Sequence, residues 1–390
     1  MRRPIVALVV LALTTPAAAQ QGPPPTPVPP AGSPSPFPQS LETPPPSAEP
    51  PELSAASAIL VDLDSGRVLH ELKADSRRAV ASTTKVMTAL LTLESIDPGE
   101  AIVVNGTATD QRGSVLGLLP GEGIQVRDLL FGLMLQSAND AAVALAEHVS
   151  GSVKAFVEAM NARARRLGAR DTRFASPNGL DDAGSSTARD LATITIEAYR
   201  HPLFARIARS RVRTIPAPGG PARRIQNRNA LLWLYPGAMG VKTGWTSAAG
   251  FCLVAAAERD GLRLLSVVLG SAPEAFTDSA TLLDHGFAAY ERRVVIEEGE
   301  ELDLLPGGPA VAGATLEALV RRGADLVYRT LPAEGDEVAR VEVLAAGEVL
   351  GEVPLLAAES PEPEPAGPPA WWASVLDSVA GALAGLLGIS

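Results

Sequence analysis

Proline is spread unevenly along this chain, and its distribution decides where a core can form. Residues 20–52 hold Pro23-Pro24-Pro25, Pro44-Pro45-Pro46 and Pro50-Pro51, out of 34 prolines in all. Proline fixes φ and removes a backbone donor, so a stretch this dense in it behaves as a stiff, solvated linker. A second linker, rich in proline and glutamate, covers residues 358–369. Folded structure is therefore expected between residues 53 and 357. That length exceeds the roughly 250–300 residues at which a single core stops growing, so more than one domain is expected.

The two ends carry other signals. Arg2 and Arg3 precede the apolar run Ile5 to Leu13, and Ala17-Ala18-Ala19 follows as a small-residue cleavage site. Residues 1–19 read as a signal peptide, because the run is well short of the roughly 20 residues needed to span a bilayer. The expected location is outside the cytoplasm, in the periplasm or cell envelope. At the other end, residues 370–390 place Trp372, Val375, Leu376, Val379, Leu383, Leu386 and Leu387 on one helical face. Such a stripe suits an amphipathic membrane-binding tail, peripheral on the outer face of the cytoplasmic membrane. The length allows a span, but Asp377 disfavours it.

Charge and residue usage remove several function classes. A net charge of −11, made more acidic by loss of Arg2 and Arg3, argues against nucleic acid as the main partner. Cys252 is the one cysteine and lies in the apolar run Phe251 to Val254, so it reads as a small buried hydrophobe. His70, His148, His201 and His285 show no metal-ligand spacing. Neither a metal nor another cofactor is expected.

The middle of the chain changes its hydrophobic pattern twice. Ala58 to Val61 and Val68-Leu69 flank Asp64-Ser65-Gly66, a hairpin signal. Apolar stretches of helical length follow at 82–93, 127–135, 140–149, 152–167 and 187–199. Ala238 to Thr243, Gly250 to Glu258 and Leu262 to Leu269 then read as strands, and Ala275 to Tyr290 as a helix. Strands at both ends with helices between them predict an α+β domain over 53–292, an antiparallel sheet packed with helices. Residues 293–357 carry short strand candidates between Gly, Pro and Glu turns and predict a small C-terminal all-β domain.

Three motifs carry chemistry. In Ser82-Thr83-Thr84-Lys85 a helix would set the amine on the same face as the hydroxyl. A serine hydroxyl needs such a neighbouring base to act as a nucleophile. Alone, the motif also reads as a helix cap followed by a surface lysine. Ser137-Ala138-Asn139 offers a proton relay and an amide that can grip a peptide bond. Ser176-Pro177-Asn178 has the same form, and spacing alone does not choose between them, although the second suits a Pro-Asn-Gly loop bend. Lys242-Thr243-Gly244, at the end of an apolar strand, can bind a carboxylate and lets substrate approach the backbone. The three in this order are far more specific than any one, and form the set shared by β-lactamases and penicillin-binding proteins.

With these motifs in place, the chain resembles the low-molecular-weight penicillin-binding proteins, the serine D-Ala-D-Ala carboxypeptidases of peptidase family S11. The resemblance extends through Leu129 to Glu147, Asn227 to Leu232, Gly237 to Leu253 and Leu282 to Phe287. It implies a penicillin-binding-protein/β-lactamase-like transpeptidase fold acting on peptidoglycan stem peptides, with β-lactams as inhibitors, and it favours Ser137 over Ser176. By the same resemblance Ser82 is the nucleophile, Lys85 its base and Ser137 a proton relay. Asn139 holds the peptide, Lys242 supplies positive charge, and Thr243 with Arg228 binds the terminal carboxylate. Gly244 gives access, and the backbone N–H groups of Ser82 and Trp245 form the oxyanion hole. The chain departs from the family pattern at Asn178, often histidine, and at Trp245, often Tyr or His. It also lacks an arginine near Ala275-Phe276. A β-lactamase and a D,D-endopeptidase share these motifs, and a non-catalytic peptidoglycan-binding protein is the rival from another class. Glu158, the nearest candidate for a lactamase's loop glutamate, falls on an amphipathic helix.

Overall fold

The computed structural model describes residues 40–41, 43–271, 275–306, 308–333, 337–357, 375 and 378–379. The signal peptide, nearly all of the tail and the second linker lie outside them. The chain divides into two units, residues 1–287 and 288–390, five residues ahead of the boundary expected from composition.

The first unit is built on one antiparallel sheet. Strand β1 (Ser57–Asp62) pairs with β2 (Val68–Leu72) across the expected turn. Strands β3 (Ala238–Thr246), β4 (Gly250–Arg259) and β5 (Leu262–Ser271) come from the far end of the unit. Their order is β2-β1-β5-β4-β3, so the chain's first strand pairs with its last and β3 forms an edge. Strands β4 and β5 are apolar on successive residues rather than alternating, as expected for a sheet covered on both faces.

Helices follow the apolar periodicity. Helix α1 (Lys85–Ser95) is buried over its first eight residues, which include Val86, Met87 and Leu90. A helix over 82–93 was expected; in the structure a 3-10 turn, Ala81–Thr84, precedes it, and Ala81 has φ 48°. Helix α2 (Val126–Phe131) continues into a wider π-type turn, Gly132–Gln136. Gly132 lets the Leu116 side chain pack close there: a Cβ would lie 2.3 Å from a Leu116 methyl. Helices α3 (Asn139–Ser150), α4 (Val153–Arg166) and α5 (Ala188–Tyr199) follow, α4 and α5 with Ser152 and Thr187 as N-caps. Helix α6 (Pro202–Ala208) and the hairpin Val212–Ile215/Arg223–Gln226 were not foreseen. Helix α7 (Ala275–Ala289) closes the unit. The end of the proline-rich stretch and the residues just after it also touch it: His285 Nδ1 donates to the Ser47 carbonyl at 3.0 Å, and Ser54 binds Asp278 through its N–H and hydroxyl.

The second unit is sheet-rich. Glu301–Leu302, Ala310–Ala312, Glu348–Ala357, Ala339–Ala345 and Leu326–Leu331 lie side by side in that order, and Tyr290–Ile296 pairs with Leu316–Arg321. Its core is made of Val320, Val341, Val343, Val353 and Leu355.

Candidate active site

Lys85 is the first residue of α1 and is fully buried. An ammonium ion there has lost its water and must replace all three donor contacts. Three acceptors meet it: Ser82 Oγ at 2.8 Å, Asn139 Oδ1 at 2.9 Å and the Asn178 carbonyl at 2.7 Å. Burial first and then the Arg228 charge lower the Lys85 pKa to about 7, with Asp140 opposing the shift. Ser82 sits one turn earlier in the 3-10 segment and is only partly covered. That hydroxyl also lies 3.5 Å from the Asn178 carbonyl.

Two further elements close on this pair. Strand β3 carries Lys242, Thr243, Gly244 and Trp245 along its outer portion. Lys242 is 1% exposed and donates to the Thr243 carbonyl at 2.8 Å. Its pKa falls well below the ordinary lysine value, mainly through burial and then through Lys85 and Arg228. Gly244 lets β3 pass the Ser82 turn: a Cβ there would be 3.0 Å from Ser82 N and 3.1 Å from Thr83 N and Val80 O. Thr243 is partly covered, and Trp245 is 38% exposed with its ring 6.2 Å from that of Phe251. Arg228 enters from the Asn227–Asn229 loop, held by Asn227 Nδ2 bonds to the Ala208 and Ser210 carbonyls and by the Arg228 N–H to Leu135 O. Burial lowers the Arg228 pKa to about 10.

The structure thus joins Ser82, Lys85 and Asn139 by hydrogen bonds and brings Arg228 and Lys242 into the same electrostatic field. Ser137 is 5% exposed, in a left-handed conformation at the end of the wide turn, two residues before Asn139. Two groups were missed by sequence reasoning. Asn178, set aside as part of a loop bend, gives its backbone carbonyl to Lys85, a contribution no side-chain pattern reveals. Asp140 is 1% exposed and takes N–H bonds from Leu116, Gly117 and Leu118. Glu158 faces solvent on α4, outside this network. Among the described residues no cluster of metal-ligating side chains occurs.

A serine bonded to a buried, low-pKa lysine beside the edge of an antiparallel sheet, with Lys242 and Arg228 in the same electrostatic field, defines a serine acyl-transfer enzyme of the penicillin-binding type. Comparison with known proteins makes this particular. Residues 45–273 match the peptidase S11 family, described as D-alanyl-D-alanine carboxypeptidase. The D-alanyl-D-alanine carboxypeptidase DacF of Bacillus subtilis is 32% identical over 337 residues, 78% of this chain and 85% of that protein. The crystal structure of a D-alanyl-D-alanine carboxypeptidase from Mycobacterium tuberculosis is 37% identical, covers 67% of this chain and 96% of its own, and superposes with a TM-score of 0.59. The fold of DacD from Francisella tularensis, 24% identical, spans 83% of this chain and 97% of its own with a TM-score of 0.65. The chain belongs to the S11 family of serine D-Ala-D-Ala carboxypeptidases.

Proposed function

We propose that this chain removes the terminal D-alanine from peptidoglycan pentapeptide stems through an acyl-enzyme on Ser82, and that β-lactams acylate the same residue. The observation that carries this reading is the fully buried Lys85 amine 2.8 Å from Ser82 Oγ, with its pKa near 7. A neutral lysine has two N–H donors and one lone pair. The Asn139 Oδ1 and the Asn178 carbonyl can only accept, so they take the two N–H bonds. The lone pair then faces the one partner able to donate, the Ser82 hydroxyl.

Ser82 Oγ attacks the carbonyl carbon between the two D-alanines while its proton passes to Lys85 Nζ. The backbone N–H groups of Ser82 and Trp245 receive the charge that develops on the carbonyl oxygen. The C–N bond breaks, and the leaving amine takes the proton from Lys85 by way of Ser137. Water then attacks the ester, giving a proton to Lys85, which passes it to Ser82 Oγ as the C–O bond breaks and the shortened stem leaves. Lys242, Thr243 and Arg228 hold the terminal carboxylate, and Gly244 leaves room for it. Asn139 keeps one N–H and one lone pair beyond its bonds to Arg112 O and Lys85, enough to hold the substrate's peptide group.

Export by residues 1–19 and attachment of residues 370–390 to the outer face of the membrane belong to the same proposal. The leader pattern and the Trp372-to-Leu387 stripe support it. Among the described residues no helix is long and apolar enough to cross a membrane. The activity is tested by measuring D-alanine released from a soluble pentapeptide ending in D-Ala-D-Ala. Release by the wild-type chain and its loss in Ser82→Ala are expected. No release from the wild type, or undiminished release from the variant, contradicts the reading.

A further inference from the structure

The first turn of α3 holds a buried carboxylate that touches none of the reacting groups, yet it is bonded to the segment that grips one of them. Asp140 Oδ1 accepts the N–H of Leu116 at 2.9 Å and of Ala141 at 2.8 Å. Its Oδ2 accepts those of Gly117 at 2.9 Å and Leu118 at 3.2 Å. Burying a carboxylate is costly, and four charge-assisted N–H bonds are what offset it.

The other end of the same segment meets Asn139. The Asn139 backbone N–H donates to Ser114 O at 2.7 Å, and Asn139 Nδ2 donates to Arg112 O at 2.7 Å. Ser114 Oγ donates to Gln136 O at 2.5 Å, closing the segment onto the wide turn. The Arg112 carbonyl can only accept, so it selects the NH2 end of the Asn139 amide and leaves Oδ1 for Lys85. With the segment loosened, the amide is free to turn. Its NH2 would then face Lys85, and the lysine would lose one of the two acceptors that aim its lone pair.

We propose that Asp140 is a positioning residue, which holds Arg112 to Leu118 in the shape that orients the Asn139 amide toward Lys85 and so aims the base at Ser82. The proposal rests on Ser82 being the nucleophile. Asp140 has a second, electrostatic consequence. Of the charges that shift Lys85, Arg228 is the positive one and Asp140 the opposing negative one.

The test is Asp140→Asn in the full chain, an exchange that keeps the side chain's size, removes the charge and replaces one of its two accepting oxygens with an NH2. Acylation by a fluorescent penicillin and D-alanine release are followed against pH. Misplacement of the catalytic groups is expected to slow both by about a hundredfold. The acid limb of kcat/KM is expected to move to lower pH, because a negative neighbour of Lys85 is gone. A purely structural role would lower thermal stability and leave that limb in place. Acylation within about twofold of wild type with an unmoved limb overturns the proposal. If the variant does not fold, Ser114→Ala, which loosens the same segment, carries the test: slower acylation supports the proposal and unchanged acylation overturns it. Wild-type protein labelled in parallel separates the two claims, since absence of label on Ser82 there sinks the nucleophile assignment instead.

Discussion

A lysine without water is an unstable choice unless its charge can be given up, and Lys85 shows the consequence at the scale of one residue. Its pKa falls from 10.5 in the free side chain to about 7 in the fold. A base with a lowered folded pKa is favoured by folding above its unfolded value. That contribution is lost as pH falls from about 10.5 to about 7. The same shift supplies the neutral amine that Ser82 needs. Activity is therefore expected to rise with pH through about 7, measured as kcat/KM for D-alanine release across a buffer series. Lys85→Arg stays charged at every accessible pH and is expected to lose a factor of about 10²–10⁴ in acylation rate. The exposed position of Glu158 gives a further expectation. With Glu158 outside the network, a penicillin acyl-enzyme should outlive the roughly one-second turnover of an ordinary enzyme cycle, as read by release of bound label. Ser82 and Lys85 were legible in the sequence because helical spacing places positions i and i+3 together. Asn178 was not, because its contribution to Lys85 is a backbone carbonyl that any residue could offer.

At the scale of elements, the site depends on close approach of backbone to backbone. Strand β3 passes the Ser82 turn at a glycine, and the loop holding Asn178 passes Ala81 at another. A Cβ at Gly179 would lie 2.0 Å from Ala81 O, and Gly179 has φ +77°. Gly179→Ala is expected to destabilise the first unit by about 1–3 kcal/mol, measured by denaturant unfolding, because the added methyl has nowhere to go. Gly244→Ala is expected to slow acylation more than it lowers stability, since its clash falls on the Ser82 and Thr83 amides. The long strands β3, β4 and β5 and helices α3 to α5 were legible from apolar runs bounded by turn residues. Helix α6 was not, being seven residues long. The two- and three-residue strands Glu301–Leu302 and Ala310–Ala312 are too short to show a period. The helix expected from Ser82 starts at Lys85 because Ala81, at positive φ, forces a tighter turn first.

Over the whole molecule, charge is distributed against the average. The chain carries a net −11, yet Arg228 sits close enough to lower the pKa of both Lys85 and Lys242, and Lys85 that of Lys242. Basic side chains gathered in an acidic protein fit a substrate that ends in a carboxylate. All the groups assigned to catalysis lie in the first unit, residues 1–287. A chain ending at Ala289, where α7 stops, is accordingly expected to release D-alanine from a soluble pentapeptide within about twofold of the full chain. Removal of residues 370–390 is expected to leave that rate unchanged and to abolish co-sedimentation with lipid vesicles. The most direct measurement is to label the full chain with a fluorescent penicillin, digest it and locate the modified residue by mass spectrometry. The expected result is a single adduct on Ser82, absent from Ser82→Ala. An adduct on any other residue, or labelling that survives Ser82→Ala, would contradict the account.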